Sequence, residues 1–237
     1  MPQPPRPWTV ERHGPIEQLE ENLWTVSGGV PGIPGLRRRM AIARRADGDL
    51  VFFNAVPVSD EALGQIRALG RPRFLVVPQH LHMIDAHAFR EKLGVEVYAP
   101  AAGRARVERR VQVDGTFEDM PPDPAVRVES VPGFRTGEGV AWVRSGERTS
   151  LVVADVVLNV PDGPGLQGLL FRLLGMTGPG PRLPLPVKLR VVGDRAAVRR
   201  WMEAAAATPG LARIVVSHGR NVGEDAPAVL RGIATTV

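Results

Sequence analysis

The sequence contains no cysteine. Disulfides, thiolate metal sites and cysteine nucleophiles are thereby excluded, and any metal must rest on His, Asp or Glu. Lysine is almost missing as well: Lys92 and Lys188 stand alone, and the remaining positive charge is arginine. The formal charge of +5 is scattered, apart from runs such as Arg37-Arg38-Arg39, Arg44-Arg45, Arg109-Arg110 and Arg199-Arg200. Aromatic residues make up only 5%, so no platform for stacking bases is evident. A solvated arginine surface accounts for the charge, and nucleic acid is not an expected partner. No run approaches the ~18 apolar residues of a membrane span. The opening MPQPPRPW lacks the apolar core of a signal peptide, so a cytoplasmic location is expected. GxGxxG after a strand, the Walker loop and the GxSxG elbow are absent too, which removes the usual nucleotide and serine-hydrolase signatures.

What is present is an ordinary core-forming composition. With 237 residues, 43% hydrophobic and 23% charged, the chain suffices for one large domain. Residues 1–8 read as a Pro-rich tail and 9–237 as a single domain. LWTVSGGV (23–30) predicts a strand. MAIARR and LVFFNA flank Asp47-Gly48, a turn signal that predicts a hairpin. Ser59 predicts a helix start with Asp60 and Glu61 in the first turn, and Gly70 its end. Strands follow at FLVVP, VEVYAP, AVRVESV, GVAWVRS, TSLVVAD and IVVSHG, with helices from about Asp85 to Gly94 and after Asp194. Residues 161–186 differ: Pro and Gly flank the apolar run LQGLLFRLL, which reads as an insert over a site or a partner surface. The order of elements suits two mixed sheets with helices outside, or a doubly wound sheet.

Three of the five histidines crowd into VPQHLHMIDAH (77–87). The strand FLVV leads to His80, LVVA to Asp155 and IVVS to His218. Each run is short and apolar, the pattern of a strand buried on both faces, and each ends in a group that can bind metal or move a proton. In α/β folds such strand ends converge on ligand crevices. If the chain is extended at His80 and His82, the two imidazoles share a face and can grip one ion. Bland readings compete. Asp85 makes a good N-cap with Ile84 and Phe89 as a hydrophobic staple. His87 can be simply solvated, Asp155 can bond loop amides, and His218 can be a satisfied imidazole. His13 is assigned no role.

In this order the residues resemble the metallo-β-lactamase-fold superfamily, in a divergent branch that also carries Asp194-Arg195 followed by Ser217-His218-Gly219. The resemblance runs from LWTVSGGV to SHG. It implies a four-layer αββα sandwich with one or two metals between the sheets. It assigns His80 and His82 to a first ion, Asp85 and His87 to a second, Asp155 to a bridge and His218 to the second site. Asp155 and Asp85 would orient the reacting water, and the ion would be zinc, manganese or iron. The implied activity is hydrolysis of an ester, thioester, amide or phosphoester. The sequence departs from the family pattern twice. HLHMIDAH carries one extra residue before Asp85 and another before His87, and each added residue turns a helical position by about 100°. The family's Pro-Gly-His becomes Pro132-Gly133-Phe134, which removes one ligand. One ion is therefore expected rather than two, with Glu138 as a conceivable substitute ligand and Arg135 as a hold for an anionic substrate. The alternative is a non-catalytic protein on the same fold that has lost its metal and serves a binding role.

Overall fold

A computed structural model describes residues 6–237. Of the expected tail, residues 1–5 lie outside the described residues. Residues 6–8 are docked rather than free. Trp8 stacks on Phe89 with ring centroids 4.9 Å apart and donates its indole N–H to the Val58 carbonyl at 3.2 Å.

Among the described residues, eleven strands form two sheets. The first takes β1 (Glu17–Glu20), β2 (Leu23–Val30), β3 (Ile33–Arg44), β4 (Asp49–Phe53), β5 (Arg71–Val76), β6 (Glu96–Ala99) and β7 (Gly115–Thr116) in spatial order. It is antiparallel from β1 to β4 and parallel from β4 to β7. The second is ordered β11 (Leu211–Val216), β10 (Arg148–Val153), β9 (Gly139–Ser145), β8 (Val126–Ser130), with only the β10–β11 pair parallel. Helices α1 (Asp60–Leu69), α2 (Ala86–Leu93), α3 (Arg104–Val107), α4 (Gly165–Leu173), α5 (Leu185–Arg190), α6 (Arg195–Ala206) and α7 (Ala226–Ala234) complete the chain.

Strand alternation explains the layering. Side chains point to opposite faces at every step, so a strand apolar at all positions must be covered on both sides. In β4, Leu50 and Phe52 pack outward with α1 and α2 residues Ile66 and Phe89, while Val51 and Phe53 face the other sheet. In β10, Leu151 and Val153 pack with Met202 of α6 and Leu230 of α7, while Val152 faces inward. The result is three apolar layers between four structural layers: the expected αββα sandwich.

Local signals behave as the sequence predicts. Gly48 takes φ 86° in the hairpin turn, where Asp47 accepts from the Asp49 N–H at 2.9 Å. Ser59 caps α1 by accepting from Ala62 N–H at 3.3 Å, and Asp194 caps α6 through Ala197 N–H at 2.9 Å. The insert forms α4 and leads into α5. Leu166, Leu169, Leu170 and Leu173 fall at i, i+3, i+4 and i+7 of α4, hence on one face, yet all four are exposed. Among the described residues, no helix is long and apolar enough to cross a membrane.

Candidate metal centre

The parallel pairs β4–β5 and β10–β11 send four strand ends to one edge of the sandwich. Asn54 follows β4, His82 lies on a 3-10 turn after β5, Asp155 follows β10 and His218 follows β11. One ligand atom each from His82, Asp155 and His218 falls within 4.8 Å of the other two. His82 Nε2 is 3.3 Å, and His218 Nε2 3.9 Å, from Asp155 Oδ1.

The imidazole tautomers follow from their partners. His82 Nδ1 lies 2.8 Å from Asn54 Oδ1, and His218 Nδ1 lies 2.8 Å from the Arg37 carbonyl. Both partners are acceptors only, so each Nδ1 carries the hydrogen. The orientation of Asn54 is itself fixed, because its Nδ2 donates to the Arg39 carbonyl at 3.1 Å and to Ser217 Oγ at 2.6 Å. In the neutral rings both Nε2 atoms then present bare lone pairs to a carboxylate oxygen. Three electron-pair donors facing one another repel unless a proton or a cation lies between them. A tetrahedral ion with bonds of about 2.0–2.1 Å would set its ligands roughly 3.3–3.4 Å apart, close to the 3.3 and 3.9 Å separations found. The residues therefore fit a cation of zinc's size.

Charge is arranged around Asp155. Burial would raise its pKa, but the fields of His82 and His218 when their rings are protonated, with the hydrogen bonds that His82 Nε2–H then gives and that Gln79 gives, outweigh burial and hold it at about 2. Gln79 Nε2 donates to Oδ2, leaving Oδ1 for the imidazole side. Burial lowers the pKa of His218, with Asp155 opposing, so its neutral, ligating form is favoured. Behind the centre, Glu138 accepts the Asp155 N–H at 2.7 Å and the Val156 N–H at 3.2 Å. Burial, then repulsion from Asp155, raises its pKa well above the ordinary carboxylate value. Glu138 thus holds the Asp155 backbone and does not join the ligand group.

Of the six expected ligands, the structure brings three together: His82, Asp155 and His218. His80 does not share their face. The 3-10 turn over His80–His82 replaces the extended backbone that would have aligned the pair, and at three residues per turn i and i+2 diverge. His80 Nδ1 is buried without a partner, and burial, with Arg106 beside it, lowers the pKa of the ring. Asp85 is fully buried and ion-paired with Arg38 and, at 3.4 Å, with Arg6. It neither caps α2 with its side chain nor joins the cluster. His87, half-buried in the first turn of α2, also stands outside it. Phe134 lies in the apolar layer with Val131, Val192 and Val198, and so fills core rather than addressing the centre. Arg135 is exposed beside Gly193 and does not line the cavity at the centre. His13 is satisfied by the Gly14 carbonyl and the Ser59 N–H.

Asn54 and Gln79, which bond His82 and Asp155 of the candidate centre, were passed over in the sequence. Asn54 could have been found by the rule that found the ligands: LVFF-N is another buried strand ending in a polar side chain. Its positive φ of 68° fits asparagine's tolerance of that region.

No family model matches the chain, and no curated protein matches it. Solved structures do. A DIM-1 metallo-β-lactamase exposed to ceftazidime aligns with TM-score 0.65 at 15% identity, covering 96% of this chain and 99% of its own. A metallo-β-lactamase from Hirschia baltica aligns at TM-score 0.59 and 16% identity, over 93% and 98%. FIM-1 from Pseudomonas aeruginosa, in its mono-zinc form, aligns at TM-score 0.60 and 13% identity, over 97% and 98%. The chain has the metallo-β-lactamase fold.

Proposed function

We propose that this chain, on its metallo-β-lactamase fold, is a metal-dependent hydrolase with a reduced, one-ion centre formed by His82, Asp155 and His218. The observation that carries the reading is the convergence of His82 Nε2 and His218 Nε2 on Asp155 Oδ1, at 3.3 and 3.9 Å. Two imidazoles and one carboxylate suit zinc, manganese or iron. Three protein ligands with a position left over is the pattern of catalytic rather than structural zinc. A divalent ion bound there would supply a water ionised near neutral pH and an electrophile for a carbonyl or phosphoryl oxygen.

The chain's own residues divide the remaining tasks. Asp155, with a pKa of about 2, is a permanent anion. It is too weak a base to take a proton near neutral pH, so it holds charge and position. Gln79 fixes its second oxygen, while Asn54 and the Arg37 carbonyl lock the imidazoles with Nε2 facing the centre. Asp85, expected to orient water, is engaged with Arg38 instead and carries no step.

The test is metal content after loading with zinc, manganese or iron(II), followed by turnover of ester, thioester, amide and phosphoester chromogens. About one ion per chain is expected in the native protein and none in His82→Ala, Asp155→Asn or His218→Ala. A correctly folded native protein that takes up no ion refutes the reading. A non-catalytic binding role is favoured by one observation, the loss of Phe134 to the core, and would show as a ligand bound without metal or turnover.

A further inference from the structure

Beside the three ligands lies a cavity of about 390 Å³, within the range of small-molecule sites. His82, Asp155 and His218 form part of its wall with Asn54. Much of the rest is apolar: Leu36, Leu158, Val160, Phe171, Met176 and Val187 among others. Phe171 of α4 and Met176 belong to the insert, which thus supplies part of the wall, and Val187 of α5 follows it.

The polar groups on the wall already have partners. Arg38 is ion-paired with Asp85 and donates to the Gly29 carbonyl at 3.2 Å. Thr177 Oγ1 donates to Asp162 at 3.0 Å. Asn54 engages both ends of its amide. Away from the three ligands, an anionic group would be stripped of water here with no free cation among the described residues of the wall to replace it, a heavy cost. An apolar chain would gain from the same surroundings.

We propose, resting on the hydrolase reading above, that the substrate is an uncharged ester carrying an apolar chain, with the chain in this cavity and the ester at the three ligands. Hydrolysis would break the acyl C–O bond, adding the hydroxyl of water to the acyl carbon and its remaining hydrogen to the departing alkoxide oxygen. This narrows the expected substrates to a neutral, chain-bearing class and removes the need for Arg135.

The experiment uses the full chain and the neutral fluorophore N-phenyl-1-naphthylamine, displaced by a series of straight-chain primary alcohols. Each added methylene should tighten displacement ~4-fold until the cavity is full. With metal-loaded protein, kcat/KM for p-nitrophenyl esters should climb along the same series, and a terminal carboxylate on the chain should lower it at least ~10-fold. Val187→Trp, which fills the cavity from α5, should weaken fluorophore binding at least ~10-fold while metal uptake stays at the native level. A response independent of chain length, or faster turnover of p-nitrophenyl phosphate than of the long-chain ester, overturns the substrate class even if metal binds. A chain-length slope without any metal uptake refutes the hydrolysis and the reading beneath it, while the apolar ligand class stands.

Discussion

Asn54 Oδ1 accepts the Nδ1 hydrogen of His82 at 2.8 Å, while the other end of the same amide donates to Ser217 Oγ at 2.6 Å. One side chain thus orients a candidate ligand from the first sheet and ties that sheet to the second. Asn54→Gly keeps the positive φ and removes both contacts. Affinity for zinc should fall 10–100-fold, the usual effect of removing a partner of a ligating imidazole. Stability should drop by roughly 1–3 kcal/mol. Calorimetric titration and urea unfolding would read the two effects separately; an unchanged affinity would show that Asn54 does not orient His82.

The Asp85–Arg38 pair gives a test of where Asp85 belongs. Arg38→Met leaves a buried carboxylate with, among the described residues, Arg6 alone, 3.4 Å away, to balance it. A loss of about 3–5 kcal/mol is expected. Replacing both partners, Arg38→Met with Asp85→Leu, should recover most of it. Metal uptake by the double variant should match the native protein. Loss of the ion in a well-folded double variant would return Asp85 to the ligand set.

Tyr98 is the only tyrosine, so alkaline titration by near-ultraviolet absorbance reports on it alone. Burial first, then the hydrogen bond to Glu96 and the charges of Glu96 and Asp114, raise its pKa from 10.0 to about 12, against Arg73. The folded state holds the phenolic proton more tightly than the unfolded state does. That contribution to stability is present in full below pH 10 and is lost as pH rises toward 12. Tyr98→Phe should flatten the decline over this window; a native titration near 10 would remove the basis for it.

Acid should act through His218. Its pKa is lowered by burial, so the folded metal-free chain favours the neutral ring while the unfolded chain takes up a proton near 6.5. The contribution is complete above that value and disappears as pH falls through the folded pKa. Urea midpoints of metal-free protein should drop as pH falls below the unfolded value of 6.5, and His218→Gln should reduce the drop. An equal drop in the variant would place the effect elsewhere.

The outward leucines of α4 should be dispensable to folding. Leu166, Leu169 and Leu173 are 83%, 53% and 70% exposed. Changing all three to Gln should move stability by no more than about 0.5 kcal/mol per site and raise solubility, as smaller exposed apolar patches do. A collapse in thermal stability would mean that this face is packed in solution.

Two-sided burial of the strands was legible because they are apolar at consecutive positions, as in LVFF and SLVV; that pattern left a doubly wound sheet equally open, and the αββα layering was implied by the resemblance alone. Caps and turns were legible for the same local reason: Ser59, Asp194 and Asp47-Gly48 act within a few residues of themselves. Of the expected ligands, Asp155 and His218 each stand shortly after a parallel strand, and strand direction fixed their destination. The segment from His80 to His87 was less readable. Its conformation depends on the carbonyl of Gln79 accepting from His82 N–H at 3.0 Å to form a 3-10 turn, and on Arg38 capturing Asp85 from 47 positions away. Neither event leaves a periodic trace. Phe134 looked like a vacancy in a motif; its role in packing against Val192 and Val198 becomes visible only when α6 is in place.

His82 arrives with the first sheet, whereas Asp155 and His218 come with the second. Consequently no short contiguous fragment of this chain owns the centre. As the polypeptide leaves the ribosome, His82 must wait for more than half the chain before its partners exist. Cation capture would then be the closing event of assembly, and a truncated or half-closed product would go unloaded.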